Sequence, residues 1–122
     1  MTYLEAVDVL FTKLPMFQRS GPAAYKANLD GTIAVCKLLD NPENDLQFIH
    51  VAGTNGKGTV SHMVAAVLQV AGYKTGLFTS PHLVDFRERI RLNGEKIPES
   101  KVVDFVDKYS DTWGEPSFFE LT

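Results

Sequence analysis

A glycine-rich segment near the middle of the chain has the residue types that bind a phosphate chain. It reads Gly53-Thr54-Asn55-Gly56-Lys57-Gly58-Thr59, with three glycines in seven residues. Glycines permit positive φ angles and let the backbone approach a ligand closely. A lysine ammonium can reach the β- and γ-phosphates of a nucleotide, and a following hydroxyl can bind Mg²⁺. We therefore predict that all seven residues bind ATP, with Lys57 as the catalytic cation.

The spacing of this segment differs from the common G-x-x-x-x-G-K-[ST] pattern. Two residues separate Gly53 from Gly56, and Gly58 follows the lysine, so the Thr59 hydroxyl comes two positions after Lys57. Thr59 is thus a candidate for either the metal or a phosphate oxygen. Glycine-rich turns also join strands to helices without any ligand. Here the apolar run before the segment, the Gly-Lys pair and the helical pattern after it together favour ligand binding.

The elements on either side of the segment predict how it is positioned. Residues 48–52 are short and mostly apolar, which is typical of a buried parallel strand. Residues 57–71 predict a helix that ends at Gly72, and residues 76–79 predict a second strand. The inner face of this helix is expected to contain the following apolar residues: Val60, Met63, Val64, Val67 and Leu68. The predicted fold class is α/β, a P-loop NTPase-like parallel sheet with flanking helices, here incomplete, plus a small β-hairpin.

The remaining elements follow from turn and capping signals. Asn93-Gly94 between residues 89–92 and 95–97 predicts the hairpin. Thr2 with Glu5, and Ser117 with Glu120, have capping-box spacing. Helices are predicted from the first capping box to Pro15, over 29–39 and over 98–111, and residues 16–25 are predicted as a loop. For the 29–39 helix, the expected inner face is Leu29, Ile33, Cys36 and Leu39.

Composition restricts the class of protein. The 122 residues are 44% hydrophobic with a net charge of −3, which suits one globular domain and does not suggest a nucleic-acid partner. There is neither a signal-peptide pattern nor an apolar run of membrane-spanning length, so a cytoplasmic location without membrane contact is predicted. Cys36, the single cysteine, is interpreted as a small buried apolar residue rather than a nucleophile.

Three blocks of sequence resemble those of one enzyme family. They are residues 50–59, the run Phe78-Thr79-Ser80-Pro81-His82-Leu83 with Phe86 and Glu88-Arg89-Ile90 after it, and residues 116–122. Together they resemble the folylpolyglutamate synthases and dihydrofolate synthases of the Mur ligase superfamily. The resemblance extends over nearly the whole chain. Cell-wall ligases share the Gly-Lys loop but usually have threonine at the position of Gly58.

The resemblance implies an ATP-dependent amide ligase of folate biosynthesis and one-carbon metabolism. Such an enzyme adds L-glutamate to dihydropteroate, to folates or to both, through an acyl phosphate, with ATP and Mg²⁺ as cofactors. It implies that Ser80 is a metal ligand, that His82 lines the substrate pocket or covers the ATP site, and that Phe86 and Arg89 belong to the substrate pocket. Each has a simpler interpretation: an ST turn for Ser80, a structural role for His82, and a solvated charged turn with one anchoring aromatic for Phe86 and Arg89.

The resemblance also implies that residues 1–122 are the N-terminal part of the ATP-binding domain of a longer polypeptide. A glutamate and a histidine that bind metal, a lysine that becomes carbamylated and a glutamate-binding C-terminal domain would follow Thr122. The 122 residues alone are therefore expected to lack ligase activity. The parent is expected to be a monomer, and the fragment to self-associate through an exposed sheet edge.

Two further classes of function remain open from the residues. One is another ATP enzyme, either a different Mur-type ligase or a P-loop small-molecule kinase. The other is a nucleotide-binding module without catalysis. Competition between dihydropteroate, folates and muropeptide precursors for the full-length protein would separate the ligases, and Mg·ATP binding without turnover would identify a binding module.

Overall fold

The computed structural model describes residues 1–15 and 28–122, so the predicted loop at 16–25 lies outside the described residues. The chain divides into two compact units, residues 1–47 with 100–122 and residues 48–99. The helices are α1 (Tyr3–Lys13), α2 (Asp30–Leu38), α3 (Lys57–Val70), α4 (Glu99–Tyr109) and α5 (Phe118–Leu121), and the strands are β1 (Gly76–Phe78), β2 (Ile90–Leu92) and β3 (Glu95–Lys96). Among the described residues, 3₁₀ turns cover Pro42–Asp45 and Phe86–Arg89. Within the described ranges, the helices are too short or too polar to cross a bilayer.

The first unit is a small helical cluster whose predicted caps are confirmed. The Thr2 and Ser117 hydroxyls each accept from the N–H three residues on, and Glu5 and Glu120 complete the two capping boxes. The Phe11 and Phe118 rings lie 4.9 Å apart between centroids. The apolar core of this unit comprises Ala6, Leu10, Leu14, Val35, Val102, Val106, Trp113, Phe118 and Leu121. The core therefore follows the helical periodicity of α1 and α4.

The predicted inner face of α2 was wrong. Leu29 and Ile33 are exposed, whereas Val35 is the buried residue of this helix. The cause is a close approach to α5, because a Cβ on Gly31 would lie 2.6 Å from a carboxylate oxygen of Glu120. Cys36 is half-buried rather than fully buried. Desolvation, and then a hydrogen bond with Glu43, raise the pKa of its thiol, which disfavours the thiolate.

The second unit contains a three-stranded antiparallel sheet in the order β1-β2-β3. The predicted hairpin is confirmed: β2 pairs with β3, and Asn93 and Gly94 between them have φ angles of 49° and 83°. Positive φ at both central residues is what a tight hairpin turn requires. The Asn93 N–H donates to the Thr75 carbonyl and its Oδ1 accepts from the Thr75 N–H, which fixes the start of β1.

The parallel sheet is not found among the described residues. Residues 48–52 are not a strand, and Phe48 and Ile49 are 68% and 64% exposed. A strand needs a hydrogen-bonded neighbour. In the described ranges, β1 pairs on one edge with β2, in antiparallel direction, and no strand pairs with its other edge. The chain is α/β in content, and the sheet it forms is antiparallel.

Helix α3 is formed as predicted, but its apolar face is exposed. Val60, Met63 and Val67 are exposed, and Val64 and Leu68 are only half-buried. The half-buried residues of this helix are Ser61, Val64, Ala65 and Leu68. The apolar stripe that the periodicity predicted as inner is therefore only partly covered.

Candidate nucleotide-binding site

The glycine-rich segment forms an exposed loop that enters α3. Gly56 is the N-cap residue, with a φ of 78° that favours glycine. Because glycine has no side chain, the N-cap offers no side-chain hydrogen bond, and the first turn contains no acidic residue. The unpaired N–H groups and the partial positive charge of the helix start therefore remain available to an anion.

The loop is open on its outer side. Cβ atoms built on Gly53, Gly56 and Gly58 would meet nothing within 4 Å, and residues 52–60 are exposed. Thr54 and Asn55 lie in the bend, and Thr59 lies in the first turn of α3. All seven residues predicted to bind ATP thus form one continuous accessible surface.

Lys57 folds back over this loop. Its ammonium donates hydrogen bonds to the carbonyl oxygens of Gly53, at 2.6 Å, and Thr54, at 3.2 Å. These bonds close the bend and place a full positive charge beside the helix N-terminus. The ammonium, the loop and the helix start together form a locally cationic site in a chain whose net charge is −3.

Ser80, the predicted metal ligand, is exposed and follows the end of β1. The Ser80–Pro81 peptide bond is cis. Over residues 1–15 and 28–122 its hydroxyl forms no hydrogen bond, so the simpler interpretation as an ST turn does not hold there. The hydroxyl oxygen is therefore accessible to a ligand.

The three residues predicted for the substrate pocket are brought together. The Arg89 Nε–H donates to His82 Nδ1 at 2.7 Å, and the His82 and Phe86 rings meet edge-on with centroids 6.1 Å apart. Phe86 and Arg89 are each 4% exposed, whereas His82 is half-buried. Burial, and then the Arg89 charge, lower the pKa of His82. His82 is therefore the accessible member of this cluster and Arg89 fixes its ring.

Glu88 holds the turn that carries these residues. Its carboxylate accepts from the backbone N–H groups of Leu83 (3.1 Å), Val84 (3.0 Å) and Asp85 (2.7 Å). The hydrogen bonds from Asp85, Leu83 and Val84, in that order, lower the pKa of Glu88 to about 2. From the sequence, Glu88 was identified only as part of the resemblance, although Asp85 and Glu88 have the spacing of a capping box, which the structure contains.

Asp85 links the turn to the hairpin. Its carboxylate accepts from the Arg87 guanidinium at 2.8 Å and from the Lys96 ammonium at 3.0 Å, and Arg87 lies 3.4 Å from Glu99. Asp85 and Lys96 are 11 positions apart, and Arg87 and Glu99 are 12 apart, so no local signal predicts these two pairs.

Comparisons with known proteins agree on one family. No family model matches the chain. A probable bifunctional folylpolyglutamate synthase/dihydropteroate synthase of Haloferax volcanii is 42% identical over 106 residues, which are 87% of this chain and 12% of that protein. A folylpolyglutamate synthase of Arabidopsis thaliana is 38% identical over 85% of this chain and 17% of its own length. The dihydrofolate synthase/folylpolyglutamate synthase of Bacillus subtilis is 37% identical over 68% of this chain and 21% of its own.

Solved structures give the same result. Folylpolyglutamate synthase of Thermotoga maritima matches 98% of this chain and 28% of its own chain, with a TM-score of 0.81 and 36% identity. A complex of folylpolyglutamate synthase with AMPPCP and folate matches 99% of this chain and 30% of its own chain, with a TM-score of 0.80 and 28% identity.

The fold and the loop therefore define the chain as part of an α/β domain of the Mur ligase type. The matched relatives are ligases that act in folate metabolism. The chain belongs to the folylpolyglutamate synthase family. It spans between 12% and 21% of the length of the curated relatives described here.

Proposed function

We propose that this chain supplies the ATP-binding loop of a ligase that adds L-glutamate to a folate or to dihydropteroate. The observation that carries the proposal is the open loop at the start of α3, with the Lys57 ammonium 2.6 Å from the Gly53 carbonyl oxygen. The relatives named as folylpolyglutamate synthases support it, as does the neighbour in complex with AMPPCP, an ATP analogue, and folate.

The loop would act on the triphosphate of ATP. The N–H groups at the start of α3 would receive the phosphate oxygens, and Lys57 would exchange its two carbonyl partners for the β- and γ-phosphates. In the reaction, a substrate carboxylate oxygen attacks the γ-phosphorus, ADP leaves, and an acyl phosphate results. The amine of glutamate then attacks the acyl carbon, loses a proton and displaces phosphate to give the amide. Lys57 would stabilise the negative charge on the transferred phosphoryl group.

Mg²⁺ fits the donors present. Thr59 and Ser80 offer exposed hydroxyl oxygens, and Mg²⁺ prefers oxygen ligands while keeping several waters. In the described ranges no group of three or more His, Cys, Asp or Glu side chains could hold a metal by itself. Ser80, and Thr59 if it does not contact a phosphate, would therefore hold the ion only together with phosphate oxygens and water. When bound, Mg²⁺ neutralises phosphate charge.

The His82 cluster would form part of the substrate side. His82 is half-buried and would contact the substrate, while the buried Phe86 and Arg89 would hold its ring in place. Because Arg89 can only donate, His82 must accept at Nδ1.

We further propose that residues 48–52 become a parallel strand beside β1 in the longer protein. The unpaired edge of β1 in the described ranges, and the exposure of Phe48 and Ile49, support this. The parallel sheet would then cover apolar surface such as Val60 and Met63 of α3. A cytoplasmic location, a monomeric parent and a self-associating fragment stay predictions.

Calorimetric titration of the 122-residue chain with Mg·ATP tests the nucleotide site. We expect saturable binding that weakens at least tenfold in Lys57→Ala, because a charge-assisted hydrogen bond to phosphate contributes about 1.5–3 kcal/mol. Lys101→Ala removes an equally exposed cation on α4 and serves as the matched control. Equal affinities for Lys57→Ala and the unsubstituted chain would refute the proposal.

A further inference from the structure

A cavity lies away from the glycine-rich loop. It has a volume of about 140 Å³ and lies between α3 and the paired strands β1 and β2. Its lining is His62, Ala65, Ala66, Gln69, Thr75, Leu77, Arg91 and Gly94. No residue of the loop at 53–59 belongs to this lining, and neither does any acidic residue. Acidic residues outnumber basic ones in the chain, by 15 to 12, yet none lines this cavity. The cavity is therefore locally cationic.

Arg91 is the charge in this cavity, and one of its donors lacks a partner. Its Nε is buried without a hydrogen-bond partner in the described part of the chain. Its only hydrogen bond there runs from Nη1 to the Gly94 carbonyl oxygen and is long, at 3.5 Å. Buried guanidinium N–H groups almost always meet an acceptor, since leaving one unpaired costs free energy. The arrangement therefore calls for an acceptor that residues 1–15 and 28–122 do not supply.

The other polar groups suit the same acceptor. The side-chain amide of Gln69 lies at the Gly94 end of the cavity. Its Oε1 is 3.2 Å from the position that a Cβ on Gly94 would occupy. The amide can donate from its nitrogen, and the His62 ring can donate as well. The last turn of α3 contributes about half a negative charge at its carbonyl end. The full charge of Arg91 outweighs it, and the fork of the guanidinium matches the two oxygens of a phosphate or carboxylate.

We propose that this cavity binds a small oxyanion, either a phosphoryl group or a carboxylate, through Arg91. The volume exceeds what one water needs and holds several waters or one small anion. The site is separate from the nucleotide loop, and the proposal does not depend on the proposed function.

Backbone amide NMR spectra of the 122-residue chain, titrated in chloride buffer with inorganic phosphate and separately with acetate, test the proposal. We expect saturable shifts at Ala66, Gln69, Thr75 and Gly94, read apart from any shifts at residues 53–59. Saturation by phosphate alone identifies a phosphoryl site, by acetate alone a carboxylate site, and by both a site for either oxyanion. In Arg91→Gln we expect affinity at least tenfold lower, which corresponds to about 1.4 kcal/mol.

Two further variants keep the result decisive if Arg91→Gln disturbs the fold. Ala65→Leu keeps the charge but fills the cavity, and we expect it to abolish the shifts. Lys101→Gln removes a positive charge on α4 and should bind like the unsubstituted chain. The proposal is overturned if neither anion saturates, which would mean that water fills the cavity. Equal binding by Arg91→Gln, or undiminished binding by Ala65→Leu, would also overturn it.

Discussion

The loop at residues 53–59 and the turn at residues 82–89 carry the candidate functional residues and are built in opposite ways. The loop is exposed, and its Lys57 ammonium bridges two of its own carbonyl oxygens. The turn is held by three backbone N–H groups on the Glu88 carboxylate and by the buried side chains of Phe86 and Arg89. The donors of the loop can form hydrogen bonds with a ligand instead. The hydrogen bonds of the turn are already complete and hold His82 in place.

This contrast predicts that substitutions in the turn change stability, while substitutions in the loop change ligand binding. In the turn, Asp85, Glu88 and Arg89 form hydrogen bonds with neighbouring residues, so a lost side chain there leaves those neighbours without partners. In the loop, no side chain caps the start of α3, so a substitution there removes no capping hydrogen bond.

The largest effect on stability is expected from Phe86→Ala. The ring is 4% exposed, and removing a buried phenylalanine costs about 3–5 kcal/mol. Phe48→Ala, in the same unit but with a ring that is 68% exposed, is the matched control and should cost less than about 1 kcal/mol. Amide hydrogen exchange of residues 48–99 measures both. Similar losses for the two variants would show that the turn is not the framework of this unit.

Glu88→Gln should have a smaller effect, since this carboxylate is at the surface. The amides of Leu83, Val84 and Asp85 should exchange faster, because a neutral amide is a weaker acceptor than a carboxylate. Hydrogen exchange at these three amides is the measurement, with Glu95→Gln on the exposed hairpin strand as the control. Unchanged exchange in Glu88→Gln would refute this role.

The same residue predicts a pH dependence. The pKa of Glu88 is lowered from 4.5 to about 2, so its contribution to stability is fully present above pH 4.5. The contribution is lost as the pH falls through about 2. The protection of these amides should therefore decrease between pH 4.5 and 2 in the unsubstituted chain, and Glu88→Gln should lack this decrease.

The smallest effect on stability is expected in the loop itself. Gly56→Ala places an alanine at a φ of 78°, which costs about 1–2 kcal/mol. Gly58→Ala lies in the first turn of α3 and should be neutral or stabilising by up to about 1 kcal/mol, because the added methyl meets nothing within 4 Å. Exchange protection of α3 measures both. Equal effects would show that the left-handed conformation of Gly56 is not required.

Local signals in the sequence were sufficient for several features. The capping boxes, α3 with its glycine-rich start, and the Asn93-Gly94 hairpin depend on neighbouring residues, and each is formed. The grouping of His82, Phe86 and Arg89 was also anticipated, although from the resemblance and not from spacing.

Features that depend on distant residues were not predictable from the pattern. The apolar run at 48–52 indicates a strand, but these residues pair with no strand in the described ranges, although one edge of β1 is open there. The inner face of α2 was wrong because the contact between Gly31 and Glu120 decides which side is covered. The cavity at Arg91 arises from packing of α3 on β1 and β2, which no local signal encodes.

The most direct test of the central claim is an amide NMR titration of the chain with Mg·ATP, read residue by residue. We expect saturable shifts concentrated at residues 53–59 and at Ser80. The amides of Leu83, Val84 and Asp85 should be unaffected, because they already donate hydrogen bonds to the Glu88 carboxylate. Absence of shifts at residues 53–59, or shifts confined to other segments, would contradict the assignment of this loop as the nucleotide site.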